Sequence, residues 1–312
     1  FSSRRRHTRF RNVTGVQTCA LPILRRLEAI VAVHRTGSVS AAAAHLHYGQ
    51  PTISHHLRRL EAETGAVLLQ RVGRGVRLTP EGERLARRGE EILGLLARAE
   101  AELAAATSLQ SGRVRLAAFP SGAATLVPDA LALLATRHPG IQLDLVEAEP
   151  PEAYELLRGG EIDLALTFAY PDQPEPEQIT SVPVVDDPLH LVTPASAAPP
   201  DGAVDLAGYA GSGWITGCER CRRELLSLCA DAGFTPAIAF ASDDYVAVQS
   251  LVASGLGVTV LPGLALRAHQ NRDVVRRPLA AHRRVQLSTY GAPPRPAAVD
   301  AVAAALTEVA RA

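Results

Sequence analysis

The chain has 312 residues, 47% of them hydrophobic, and its 32 basic and 32 acidic side chains give a formal charge of zero. This is the composition of an ordinary soluble globular protein, long enough for two or three domains. No run of about 18 or more uncharged apolar residues occurs, which excludes a transmembrane helix; the summed charge points to no partner, because it hides local contrasts.

The first stretch, residues 1–23, carries Arg4, Arg5, Arg6, Arg9 and Arg11 without one acid and shows no hydrophobic period. Asn12 to Ala20 supplies no apolar core for a signal peptide. The string resembles translated adapter sequence, and the chain contains no Met. It is therefore expected to be a disordered leader foreign to the protein, with the native start missing. Without it the remainder is mildly acidic, while the region that follows is basic. All basic residues other than His are Arg, which suggests a GC-rich bacterial genome. With Cys19 set aside, Cys218, Cys221 and Cys229 remain, an odd number that favours a reducing cytoplasm over a disulfide framework.

From Leu24 to Thr36, Leu27, Ile30, Val31 and His34 recur at helical spacing. Gly37 stops this helix. Ser38 can cap a second one, Val39 to His47, whose small residues Ala41 to Ala44 admit a close neighbour. Tyr48 and Gly49 make a turn, and Pro51 suits the first turn of a third helix. There Ile53, Leu57 and Leu60 face a core, while Thr52, His55, His56 and Arg59 share the opposite stripe, flanked by Gln50 and Arg58. Short hydrogen-bonding and cationic side chains of this kind reach base edges and phosphates from a major groove. In isolation the same stripe reads more readily as a solvated face; the surrounding sequence decides.

That sequence runs Gly37-Ser-Val-Ser-Ala-Ala-Ala-Ala-His-Leu46, Gln50-Pro-Thr-Ile-Ser-His-His-Leu-Arg-Arg-Leu-Glu61, then Gly65, Leu68, Leu69, Arg71, Arg74, Val76, Leu78, Thr79, Pro80 and Gly82. It resembles the LysR-type transcriptional regulators across the whole of residues 24–80. The resemblance implies a winged helix-turn-helix in which Gln50, Pro51, Thr52, Ser54, His55 and Arg58 face double-stranded DNA, with Ser38 and Arg59 beside them. It also implies a β-wing over Val72 to Leu78 that brings Arg71, Arg74 and Arg77 to the phosphates. Gly49 stands where the family usually has a Ser cap, a loss of a few tenths of a kcal/mol at most. His55 and His56 replace the more typical Gln or Arg, which leaves the base preference open.

Thr79 and Pro80 open a long helix over residues 81–110. Leu85, Ile92, Leu95, Leu96, Ala99, Leu103 and Ala106 fall close to a seven-residue repeat, the pattern of a coiled coil. The alternative is a surface helix packed on its own domain. The resemblance implies antiparallel pairing into a homodimer, which presents two heads to half-sites one helical turn apart. Pairing of dimers into tetramers, and contact with RNA polymerase, stay open.

Residues 111–312 alternate short apolar runs with helical stretches, as an open parallel sheet requires. Together the chain reads as α/β with an all-α winged helix-turn-helix head. The resemblance implies a two-lobed, periplasmic-binding-protein-like effector domain: one lobe at about 113–168 and 265–312, the other at about 169–264, joined by crossings near Ala169 and Pro262. Ligands of open α/β sheets sit at the carboxyl ends of strands, beside helix N-termini. That rule selects Ser121, Gly122 and Thr125, then Thr167 and Phe168, then Thr216, Gly217 and Cys218, then Asp243, Asp244 and Tyr245 for a small effector. Ser121 and Asp243 serve equally well as plain helix caps. The hydroxyls favour an anion and the aspartates a neutral or cationic ligand, so the effector's charge is left open.

Cys218-Glu-Arg-Cys221 has the spacing of a redox pair at a helix start, but simple packing and a metal site are alternatives. A zinc site needs four ligands, so His269 or another distant residue would have to join the three cysteines. No cofactor motif and no catalytic constellation is present, and His45, His47, His55 and His56 fall in the DNA-binding helices. The expectation is a non-enzymatic cytoplasmic regulator that binds promoter DNA under control of a small effector. Two rivals are a thiol sensor using Cys218 and Cys221, and a two-lobed solute-binding protein, which would lack residues 24–80.

Overall fold

The computed structural model describes residues 14–72, 75–107, 112–171, 176–197, 204–291 and 295–312. The chain divides into two compact units, Phe1–Glu100 with Arg158–Gly160, and Ala101–Leu157 with Glu161–Ala312. Among the described residues, no helix is long and apolar enough to cross a membrane.

In the first unit, helix α1 spans Thr14–Thr36, α2 Val39–His45 and α3 Gln50–Thr64. The helix thus begins at Thr14, inside the segment expected to be a disordered leader. A helix already nucleated by the apolar period after Leu24 extends at little cost per residue, whether or not the added residues carry a period. Gly37 ends α1 at φ 73°. The Ser38 hydroxyl accepts the Ala41 amide at 3.1 Å and caps α2. At α3 no side chain caps the start; Gly49 is the N-cap and Pro51 enters the first turn. Gly65 closes α3 in a left-handed conformation. Ile53, Leu57 and Leu60 are buried against Ile30, Ala42 and Ala86, each contributing roughly 1.5–3 kcal/mol by leaving water.

Strands β1 (Leu69–Val72) and β2 (Gly75–Leu78) pair antiparallel as a wing, Leu69 opposite Leu78. The wing is tied to its neighbours by three residues. Glu61 accepts the amides of Leu68 at 2.9 Å and Leu69 at 3.1 Å. Thr79 donates its hydroxyl to the Val67 carbonyl at 2.7 Å and accepts the Gly82 amide at 3.1 Å. A Cβ on Gly82 would lie 2.3 Å from the Leu68 carbonyl oxygen, so only glycine fits. Helix α4 runs Pro80–Thr107. Its Glu90 is buried and accepts Arg35 Nε at 2.9 Å.

The second unit is built on one sheet. Its strands are β3 (Gly112–Ala118), β4 (Ile141–Glu147), β5 (Leu164–Ala169), β6 (Ile179–Pro194), β7 (Gly213–Thr216), β8 (Ala237–Ala241), β9 (Val258–Pro262) and β10 (Val274–Tyr290), in the order β4-β3-β5-β10-β6-β9-β7-β8. Helices α5 (Pro120–Ala123), α6 (Leu126–Arg137), α7 (Pro150–Arg158), α8 (Glu219–Asp231), α9 (Tyr245–Ala253), α10 (Gly263–Ala268) and α11 (Ala297–Arg311) cover it.

The sheet is mixed rather than wholly parallel. β3 lies parallel to β4 and β5, and β7 parallel to β8 and β9. Between these two sets stand β6 and β10, antiparallel to each other and to their outer neighbours. Along β10 it is Arg284 to Ser288 that pair with β5, and along β6 Leu189 to Val192 that pair with β9. The change of neighbours therefore falls within β6 at Asp187–Pro188 and within β10 between Pro278 and His282, where the register breaks. It does not fall beside Ala169 and Pro262. Two strands of this length read from sequence as shorter pieces, because a prolyl residue and a register break interrupt their alternation. The half that carries β3, β4 and β5 has its core around Leu116, Leu166, Phe168 and Val285, and the other half around Ile215, Val248 and Trp214.

Candidate DNA-binding and effector sites

Helix α3 presents one continuous polar face. Gln50, Pro51, Thr52, His55, Arg58 and Arg59 are exposed, Ser54 and His56 are half-buried, and the residues between them are the buried Ile53, Leu57 and Leu60. Arg58 Nε donates to the Ser54 carbonyl at 3.2 Å. The His56 ring stands edge-on to those of Tyr48 and His55. Burial, then the neighbouring His55 and the guanidinium groups of Arg26 and Arg25, lower the His56 pKa from 6.5. Ser38 is engaged as a helix cap. Arg77 is exposed on the wing, opposite Gln70; the side chain of Arg71 and the whole of Arg74 lie outside the described residues. On α4, Ile92, Leu95 and Leu96 are exposed at 48%, 63% and 40%, whereas Leu85 packs on the head's own core.

In the second unit a cleft of about 640 Å³, its mouth included, opens where the two halves of the sheet meet. Of the residues selected by the strand-end rule, Ser121, Gly217, Cys218, Asp243 and Tyr245 line it. The others stand elsewhere. A Cβ on Gly122 would lie 2.8 Å from both Leu166 Cδ2 and the Phe119 ring, so it is a close contact inside the fold. Thr125 is buried, with its hydroxyl on the Ser121 carbonyl at 2.6 Å. Thr167 is fully buried and hydrogen-bonds Ser288 at 2.7 Å. Phe168 is buried edge-on to Phe119 and Tyr170. Thr216 is buried with no partner for its Oγ1. Asp244 caps α9 through the amides of Val246 and Ala247.

The centre of the cleft is a group that the sequence pattern did not single out. Arg283, opposite Asp187 on the paired strands β10 and β6, is only 3% exposed. Its Nε donates to Asp187 Oδ2 at 2.9 Å and its Nη2 to Ser121 Oγ at 2.9 Å. The second Asp187 oxygen accepts the Leu264 amide at 2.9 Å. The guanidinium lies over the rings of Phe168 and Phe119, 4.4 and 4.7 Å from their centroids. Burial, the largest single influence, pulls the Arg283 pKa down, but the Asp187 carboxylate together with Tyr170 and Cys221 outweighs it and the pKa is raised. A cation so fully partnered is fixed in place and fixes both strands.

Glu149, Tyr170, Cys221 and Ser242 also line the cleft. Burial raises the Glu149 pKa, with the Asp243 carboxylate adding to it against hydrogen bonding from Cys218 and the pull of Arg283 and Arg220. One Glu149 oxygen is buried without a partner. The Cys218 and Cys221 sulfurs are 3.0 Å apart, and the Tyr170 hydroxyl donates to Cys221 Sγ at 3.6 Å.

Comparison with known proteins matches this architecture. Residues 24–83 fit the family described as "Bacterial regulatory helix-turn-helix protein, lysR family", and residues 107–311 the one described as "LysR substrate binding domain". The chain is 30% identical to the probable HTH-type transcriptional regulator LrrA of Synechococcus elongatus, over 77% of this chain and 81% of that one. It is also 30% identical to a probable hydrogen peroxide-inducible genes activator of Streptomyces viridosporus, over 93% and 95% of the two chains. Two solved structures share the fold. A full-length OxyR variant from Pseudomonas aeruginosa has a TM-score of 0.65 at 24% identity, covering 92% of this chain and 96% of its own. The full-length regulator CbnR in complex with its target DNA has a TM-score of 0.60 at 23% identity, covering 92% and 99%. A helix-turn-helix head and a substrate-binding domain, matched in order along one chain, make this protein a member of the LysR family of bacterial transcriptional regulators.

Proposed function

We propose that the head reads operator DNA through the exposed face of α3, and that a small effector in the cleft of the second unit sets how tightly it does so. Thr52, Ser54 and His55, with Gln50 and Pro51, meet base edges; Arg58, Arg59 and the wing arginines Arg71, Arg74 and Arg77 meet phosphates. The observation that carries this reading is the unbroken polar face from Gln50 to Arg59 above three fully buried core residues. The exposed Ile92, Leu95 and Leu96 of α4 form the seam to a second copy, so that two heads act together. Ser121, Gly217, Cys218, Asp243 and Tyr245 contact the effector. The reading assigns the protein a regulatory rather than catalytic role, and places it with its DNA in the cytoplasm.

Titration of labelled DNA from upstream of the gene, at several salt concentrations, tests the head. Each phosphate contact removed lowers the slope of log affinity against log salt by about 0.9. Arg58→Ala and Arg77→Ala should each weaken binding on every sequence and flatten that slope, whereas Thr52→Ala should change which sequence is preferred. Unchanged affinity and slope in both arginine variants would overturn the assignment.

A further inference from the structure

We propose that Cys218 and Cys221 form a dithiol that a hydroperoxide converts to a disulfide within the cleft. This goes beyond the effector reading and does not depend on it. The two sulfurs are 3.0 Å apart, about 1 Å longer than the bond they would form. Both residues belong to the start of α8: Cys218 is its N-cap and Cys221 lies in its first turn. Closing the gap therefore asks for side-chain rotation within one turn rather than movement of separate elements.

The surroundings give the two thiols different roles. Cys221 Sγ accepts hydrogen bonds from the Cys218 thiol and the Tyr170 hydroxyl. These contacts and the positive charge of Arg283 stabilise its thiolate and lower its pKa against the opposing effect of burial. Cys218 keeps its proton: the hydrogen bond to Cys221, and then burial, raise its pKa. One sulfur is thus the nucleophile and the other the resolving thiol. Cys229 is an internal control. It is fully buried beside Trp214 and Leu225, and burial pushes its thiol up to about 11. A role in packing alone would give Cys221 no need of a hydroxyl donor and a cation. A metal role lacks support, since among the described residues no group of three or more His, Cys, Asp or Glu could hold an ion.

The chemistry balances. The Cys221 thiolate attacks one peroxide oxygen, the O–O bond breaks, and hydroxide leaves as Cys221 becomes a sulfenic acid. Cys218 sulfur then displaces the sulfenic oxygen, which departs as water with the Cys218 proton. Each sulfur loses one electron and the peroxide gains two. The thiolate charge beside Arg283 is removed, so the cleft becomes more positive when oxidised.

The test uses the reduced full chain, exposed to hydrogen peroxide, unfolded, blocked with N-ethylmaleimide and digested with trypsin. Arg220 lies between the two cysteines, so the peptide 159–220 carries Cys221-Arg222 only when the bridge has formed. The bridged peptide should accumulate while Cys229 stays alkylatable. Cys218→Ser should instead trap a sulfenic acid at Cys221, read as a dimedone adduct. Free cysteine is only a few per cent thiolate at about pH 7; with its thiolate favoured by these contacts, Cys221 should react faster than free cysteine, and Tyr170→Phe, which removes one of its donors, should slow it. Full alkylation of Cys218 and Cys221 after an exposure that oxidises free cysteine overturns the proposal, as does earlier oxidation of Cys229. If glutathione disulfide forms the bridge faster than peroxide does, the hydroperoxide step is wrong.

Discussion

Replacing Arg283 with Met leaves Asp187 buried with one remaining donor, the Leu264 amide, and removes the hydrogen bond to Ser121. Breaking a buried ion pair from one side costs about 3–5 kcal/mol, because the surviving charge has lost both water and partner. For a unit of about 200 residues, each kcal/mol moves Tm by roughly 2–4 °C, so Arg283→Met should lower it by roughly 6–20 °C. Asp187→Leu in the same molecule removes the stranded carboxylate, and the double variant should recover most of the loss. Trp214 is the chain's single tryptophan and is fully buried in this unit. Its fluorescence during thermal and urea unfolding therefore reports the relevant transition, apart from that of the head. A loss below about 1 kcal/mol for Arg283→Met would show that the pair is well hydrated. A double variant as unstable as the two single losses added together would show that the residues act independently.

Two other substitutions test parts of the fold by different means. Helix propensity favours Gly82→Ala by about 1 kcal/mol, yet the added carbon would sit 2.3 Å from the Leu68 carbonyl oxygen; denaturation should show a net loss of stability in the head, and a gain would refute the close approach. Glu149 has a raised pKa, mainly from burial, so the unfolded chain releases this proton at lower pH than the fold does. Its contribution is full below the unfolded value of about 4.5 and is lost as pH rises through the folded value. Glu149→Gln should therefore gain Tm over the parent at pH 8 and show no gain near pH 4; an equal difference at both pH values would show that ionisation is not its cause.

The head was legible because its signals are local. Caps, Gly stops and a 3.6-residue period each span a few positions, and Ile53, Leu57 and Leu60 are buried where the spacing put them. The extension of α1 back to Thr14 was not legible, since continuing a helix needs no pattern of its own. In the second unit the strand-end rule reached Ser121, Gly217, Cys218, Asp243 and Tyr245 because it needs only the position of each strand terminus. It also selected Thr167 and Phe168, whose alternating directions send both side chains into the interior. Asp187 and Arg283 lie far apart in sequence and meet through the register of two antiparallel strands. Periodicity carries no register, so their partnership was beyond it.

Because β6 and β10 each continue from one half of the sheet into the other, hydrogen-bonded to one another on both sides of the cleft, the halves are joined by paired strands rather than by slack tethers. They resemble two ends of a short leaf spring, clamped near its middle by Asp187 and Arg283. An occupant that drew the halves together would have to flex that spring, so its effect should be read as a change of twist along β6 and β10.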